Sequence, residues 1–218
     1  VAQDTDTIVL ADGTYYEHDL DFCGKKVHLK SQNGPANCII DCQRRGRAFW
    51  FHSGEDADSI VEGVTITGGK ADYGGAIYCL GGSPTIRGCV FVGNVADKDG
   101  GALQCSGCDS TITGCAFYGN TAGRDGGAIN CVRGSDLTLV NCLFSGNTAG
   151  RDGGAVDCRD SGTTMTATNC TFSGNTGHWG GAIRLWDNAS ATFDNCIIWG
   201  NSATGSGNQI QADDSTAT

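Results

Sequence analysis

Apolar residues in this chain come in short bursts, and the bursts recur. Ile77 and Cys79 share parity, as do Cys89 and Phe91, which is the alternation of a strand that buries one face. The same two pairs return at Leu103/Cys105 and Cys115/Phe117, at Ile129/Cys131 and Cys142/Phe144, and at Val156/Cys158 and Cys170/Phe172. A last copy, Ile183/Leu185 and Cys196/Ile198, keeps the phase with substitutions. The pattern predicts two or three short strands per repeat and no long helix. With 35 glycines among 218 residues, each costing about 1 kcal/mol relative to alanine in a helix, helices are further disfavoured. The longest apolar runs, such as Ala48-Phe49-Trp50-Phe51, fall far short of the roughly 20 residues that span a bilayer. No membrane insertion by this segment is expected.

The punctuation between bursts is as regular as the bursts. Gly-Gly-Ala begins at Gly74, Gly100, Gly126, Gly153 and Gly180, at intervals of 26, 26, 27 and 27 residues. Three residues after each Phe or Ile of the second pair stands an asparagine: Asn94, Asn120, Asn147, Asn175 and Asn201. Gly46-Arg47-Ala48-Phe49 and Gly207-Asn208-Gln209-Ile210 fall where further triplets are due. A coil of this size cannot bury its inner face alone, whereas coils stacked at about 4.8 Å enclose one continuous core. The reading is an all-β, right-handed, single-stranded parallel β-helix of about seven coils with a 26–28 residue period, roughly 34 Å long. Residues 1–45 are read as an N-terminal coil region and 46–218 as the repeats, in one continuous domain.

Stacking turns each recurrent position into a ladder. Asparagine amides one above another bond to each other, so the Asn94 to Asn201 row is expected to be structural. Cys79, Cys105, Cys131 and Cys158 make one thiol row, and Cys89, Cys115, Cys142, Cys170 and Cys196 a second. Inward thiols pack as small hydrophobes, or they form disulfides within a coil, such as Cys79 with Cys89, or between coils; sequence leaves both open. Leu185 replaces the fifth thiol of the first row. Cys23, Cys38, Cys42 and Cys108 lie outside the rows.

Gly-Gly-Ala followed by Ile, Leu or Val, together with Phe91-Val92-Gly93-Asn94, Phe117-Tyr118-Gly119-Asn120, Phe144-Ser145-Gly146-Asn147 and Phe172-Ser173-Gly174-Asn175, resembles the repeats of the chlamydial polymorphic membrane proteins and related bacterial right-handed β-helix proteins. The resemblance implies a secreted or cell-surface, extracellular location and adhesion, and it supplies no catalytic residues. The chain opens at Val1, without Met or signal peptide, as a processed or excised segment of a longer precursor would.

Candidate chemistry is sparse. A net charge of −10 with 14 scattered Lys and Arg excludes nucleic acid as a partner. The row Asp99, Asp125 and Asp152 precedes the glycine triplets, each member following a cation (Lys98, Arg124, Arg151); a solvated, charge-compensated turn is expected rather than a calcium site, and the row ends at Trp179. Cys105-Ser106-Gly107-Cys108 has C-x-x-C spacing but neither the helix of a redox motif nor a second ligand pair for zinc. Hence no metal, no cofactor and no catalytic residue is assigned, and the chain is read as not an enzyme. Asn188-Ala189-Ser190 is the better of two glycosylation candidates, the other being Asn169-Cys170-Thr171. The leading functional expectation is an extracellular structural rod that self-associates end to end into a filament or appendage. An adhesin for a glycan or host surface, and a polysaccharide lyase or glycoside hydrolase, are the alternatives.

Overall fold

In the computed structural model, which describes residues 2–218, the chain winds as a solenoid of about eight turns. Every strand pairing is parallel, and the strands form four sheets along the rod. The first has nine strands, from Thr7–Leu10 to Thr216–Ala217, and the second eight, from Gly13–Tyr15 to Ile197–Trp199. The third has six, from Lys70–Tyr73 to Ser202–Ser206, and the fourth seven, from Phe49–Phe51 to Ile210–Asp213. One coil visits them in that order: Thr85–Arg87, Val90–Val92, Val95–Asp99, Leu103–Ser106. Among the described residues there is no helix.

Two expectations change here. The coils have up to four strands, not two or three, because the stretch after each ladder asparagine pairs as the third sheet; Thr121–Ala122 and Thr148–Ala149 are its shortest strands. A further coil precedes the seven, since Thr7–Leu10 pairs with His28–Ser31 and Gly13–Tyr15 with Cys38–Asp41. These early coils lack a third-sheet strand and the glycine triplet, so the period alone does not reveal them.

The register agrees with the repeat residue by residue. Phe49, Ile77, Leu103, Ile129, Val156, Ile183 and Ile210 are successive partners along the fourth sheet, and Leu185 stands over Cys158. Phe91, Phe117, Phe144 and Phe172 stack with centroids 4.7 Å apart and planes within 5° of parallel, the inter-strand spacing itself. Both halves of the Asn ladder are made: from Asn120 onward each Oδ1 accepts from the backbone N–H and the Nδ2 of the asparagine one coil before it, as Asn120 does from Asn94 at 3.0 and 3.1 Å. Each Nδ2 also donates to a carbonyl of the preceding coil, Asn120 to Phe91 at 3.0 Å. The ladder is buried from Asn94 to Asn201.

All thirteen cysteines are free thiols. Those of the second row sit at a corner, where the Cys89, Cys142 and Cys170 amides donate to the sulfurs of Cys115, Cys170 and Cys196, each at 3.4 Å. The residue before each of these cysteines, Gly88, Gly114, Asn141, Asn169 or Asn195, has φ between 51° and 61°, a left-handed turn that only glycine and asparagine adopt readily.

Candidate functional site

Most outward positions of a β-helix are exposed, but one outward row is buried along the middle of the fourth sheet. Trp50, Tyr78, Gln104, Asn130, Asp157, Arg184 and Gln211 are successive register partners on its outer side, and the middle four of them are buried polar residues. Gln104 Nε2 donates to Asn130 Oδ1 at 2.9 Å, and Asn130 Nδ2 to Asp157 Oδ2 at 2.8 Å. Beside this row stand the aspartates that precede the glycine triplets, whose charges act on Asp157.

There the structure overturns the reading of Asp99, Asp125 and Asp152 as a solvated turn. Asp99 and Asp125 are at most 1% exposed and Asp152 5%, while the arginines over them remain half-exposed. Each arginine reaches back one coil: Arg124 grips Asp99 through Nε and Nη2 at 3.0 and 2.7 Å, and Arg151 grips Asp125 in the same fork. Such bidentate pairs are the strongest carboxylate contacts a side chain makes. Arg159, from the fourth sheet, adds Nη1 to Asp125 Oδ2 at 2.9 Å and Nη2 to Asp99 Oδ2 at 3.6 Å. A residue from another strand thus ties two coils together, a contact with no signature in the local sequence.

The result is a cleft of about 450 Å³ bordered by Tyr73, Tyr78, Trp186, Arg124, Arg133 and Arg159. Arg159 lies over the Trp186 ring at 5.8 Å and Arg47 over Tyr78 at 5.1 Å. Several buried polar atoms along this face have no partner within the chain, among them Gln104 Oε1, Asp157 Oδ1, Asp152 Oδ1 and the indole nitrogens of Trp50 and Trp186.

Burial, reinforced by the charge of Asp125, raises the Asp157 carboxyl well above the usual carboxylate range, and the same two causes raise Asp152. The native state therefore keeps the Asp157 proton at pH values where the unfolded chain has lost it, so stability falls as pH rises through that window. Asp157→Asn, whose amide oxygen still accepts from Asn130, should match the parent near pH 3.5. It should then become the more stable protein as pH rises, the gap opening at up to about 1.4 kcal/mol per pH unit. Urea denaturation across pH checks this; a gap independent of pH contradicts it.

The other singled-out residues lie elsewhere. Asn188 is exposed, in the turn between Ile183–Trp186 and Ser190–Asp194; Asn169 is exposed too, but Cys170 beside it is buried. Trp179, at the end of the acidic row, is 38% exposed and packs edge-on against His178. Cys108, by contrast, is not merely a turn thiol beside Cys105. The sulfurs of Cys79, Cys105 and Cys108 lie within 4.8 Å of one another, all three buried. The third member comes from the coil before, which is why C-x-x-C spacing alone misses it.

The family model for a right-handed β-helix region matches residues 20–164. The chain belongs to the right-handed β-helix family. A second model, the Chlamydia polymorphic membrane protein repeat, matches residues 169–184, the stretch from Asn169 through the last Gly-Gly-Ala. Together these matches describe a β-helix repeat protein, one stretch of which is similar to a polymorphic membrane protein repeat. No curated protein and no solved structure matches the chain. Among the described residues of this β-helix protein, no helix is long and apolar enough to cross a membrane.

Proposed function

We propose that this β-helix binds an anionic glycan in the cleft over its fourth sheet and does not cleave it. The observation that carries the reading is the composition of the cleft wall. Three guanidinium groups and three aromatic rings line it against two carboxylates, Asp99 and Asp160, on a chain whose net charge is −10. Aromatic faces stack on sugar rings and the exposed Arg133 guanidinium takes a carboxylate, while Arg124 and Arg159, paired with Asp99 and Asp125, offer their remaining N–H groups. Catalysis is disfavoured by the same geometry. Arginine holds Asp99 and Asp125, and Asp157, fully covered, has no path to a substrate.

Calorimetry with uronic-acid oligosaccharides should show binding that weakens with salt, and neutral oligosaccharides should bind at least tenfold more weakly. Trp186→Ala and Arg133→Glu, the latter exposed at the rim, should each cost tenfold or more in affinity with no loss of fold. No binding to any acidic glycan, or release of reducing ends from a bound one, defeats the proposal.

A second reading, a rod that joins end to end, draws on the coil-on-coil parallel pairing kept in all four sheets, a pairing that a neighbouring copy would extend. Filaments in negative-stain micrographs, growing with protein concentration, distinguish it.

A further inference from the structure

The cleft leaves one cluster of reactive side chains unused. Cys79 and Cys105 are register partners in adjacent strands of the fourth sheet, both pointing inward, and Cys108 lies in the turn that follows Cys105. Their three sulfurs are mutually within 4.8 Å. Metal–thiolate bonds of about 2.3 Å set 120° apart hold sulfurs about 4.0 Å from one another, so sub-ångström adjustments close the set around one ion. The next thiol of the row does not join: Cys131 Sγ is turned toward the Ser135 carbonyl at 4.0 Å. The Ser110 hydroxyl lies beside the group, 3.7 Å from Cys108 Sγ.

We propose that Cys79, Cys105 and Cys108 form a site for a single soft monovalent cation, cuprous copper. Thiolates select Cu(I), Zn(II) and iron–sulfur clusters. Structural zinc is completed by a fourth nitrogen or sulfur ligand, and none stands here, whereas cuprous copper is satisfied by three sulfurs in a plane. The site is dry, with Cys79 and Cys105 at 0% and Cys108 at 1% exposure, which protects Cu(I) from oxidation. It is also one residue deep, because Gly107 and Asp109 on either side of Cys108 are exposed, so the turn is the entry. Each ligating thiol gives its proton to solvent as the metal–sulfur bond forms. Copper stays Cu(I) throughout, and no electron is transferred.

The test uses the full chain, purified anaerobically with reduced thiols, and Cu(I) delivered against a colorimetric cuprous chelator. One equivalent should be retained, with proton release on loading and an X-ray absorption spectrum of copper bonded to three sulfurs. Cys79→Ser, Cys105→Ser and Cys108→Ser should each lower affinity by more than about 100-fold, beyond what loss of an outer-sphere partner costs. Cys131→Ser and the exposed Cys23→Ser should retain one equivalent. Circular dichroism shows which variants fold, and the spectrum of the unmodified protein decides the ligand set without them. No retained copper, a spectrum with fewer than three sulfurs, equal retention by folded Cys108→Ser, or a Cys105–Cys108 disulfide in the anaerobic protein overturns the proposal.

Discussion

Gly127→Ala should lower the stability of the solenoid by more than about 4 kcal/mol, the range reserved for severe steric faults. A Cβ at Gly127 would stand 2.1 Å from the Gly154 carbonyl oxygen and 2.7 Å from the Thr148 backbone. These are main-chain atoms of the next coil, and they move only if the coils part. The second glycine of every triplet is in the same position, with Gly101 facing the Gly127 oxygen and Gly154 the Gly181 oxygen. Gly119→Ala is the comparison: its φ is 58° but nothing lies within 4 Å of its Cβ, so only the left-handed conformation is penalised, at about 1–2 kcal/mol. Urea denaturation of the two variants separates crowding from backbone strain, and equal losses would refute the account. Because each coil touches only its neighbours, Gly127→Ala should also split the transition, leaving one side of the rod folded at intermediate urea.

Asn120→Ala should cost on the order of 4 kcal/mol, since an unpaired buried polar group costs about 1–3 kcal/mol and the substitution strands several. The Asn94 amide and Nδ2 lose their acceptor, the Phe91 carbonyl loses a donor, and Asn147 Oδ1 keeps only the residue-120 backbone N–H. Asn120→Asp keeps the acceptors, loses both donors and sets a carboxylate against two oxygens, so it should be tolerated better in acid than at neutral pH. Asn201→Ala is expected to be milder, because Asn201 is 6% exposed and shares its amide with Gln209. Equal effects at Asn120 and Asn201, measured by chemical denaturation, would mean the ladder is not the source of cohesion.

The register of the fold was legible because it depends on local repetition: a Gly-Gly-Ala triplet, a parity and a constant interval place Leu185 over Cys158 and Ile210 over Ile183 without coordinates. What escaped depends on contacts between coils. The acidic row looked solvated because each aspartate follows a cation in sequence. In space Arg124 lies over Asp99 and Arg151 over Asp125, and Arg159 arrives from a third strand. Similarly, C-x-x-C lacked a third sulfur until stacking brought Cys79 beside it. The third sheet escaped because Thr121–Ala122 and Thr148–Ala149 are two residues long, too short for alternation to show.

The outer row of the fourth sheet changes at every turn, from Tyr78 through Gln104, Asn130 and Asp157 to Arg184, while the inner row beneath it stays Ile, Leu or Val. The two faces of this sheet are therefore free to vary separately. Excising or duplicating one whole 27-residue period, such as 126–152, would preserve every internal column while lengthening or shortening the outer row by one rung. Gene-level gain and loss of turns then becomes a direct means of changing the lining of the cleft without disturbing the core.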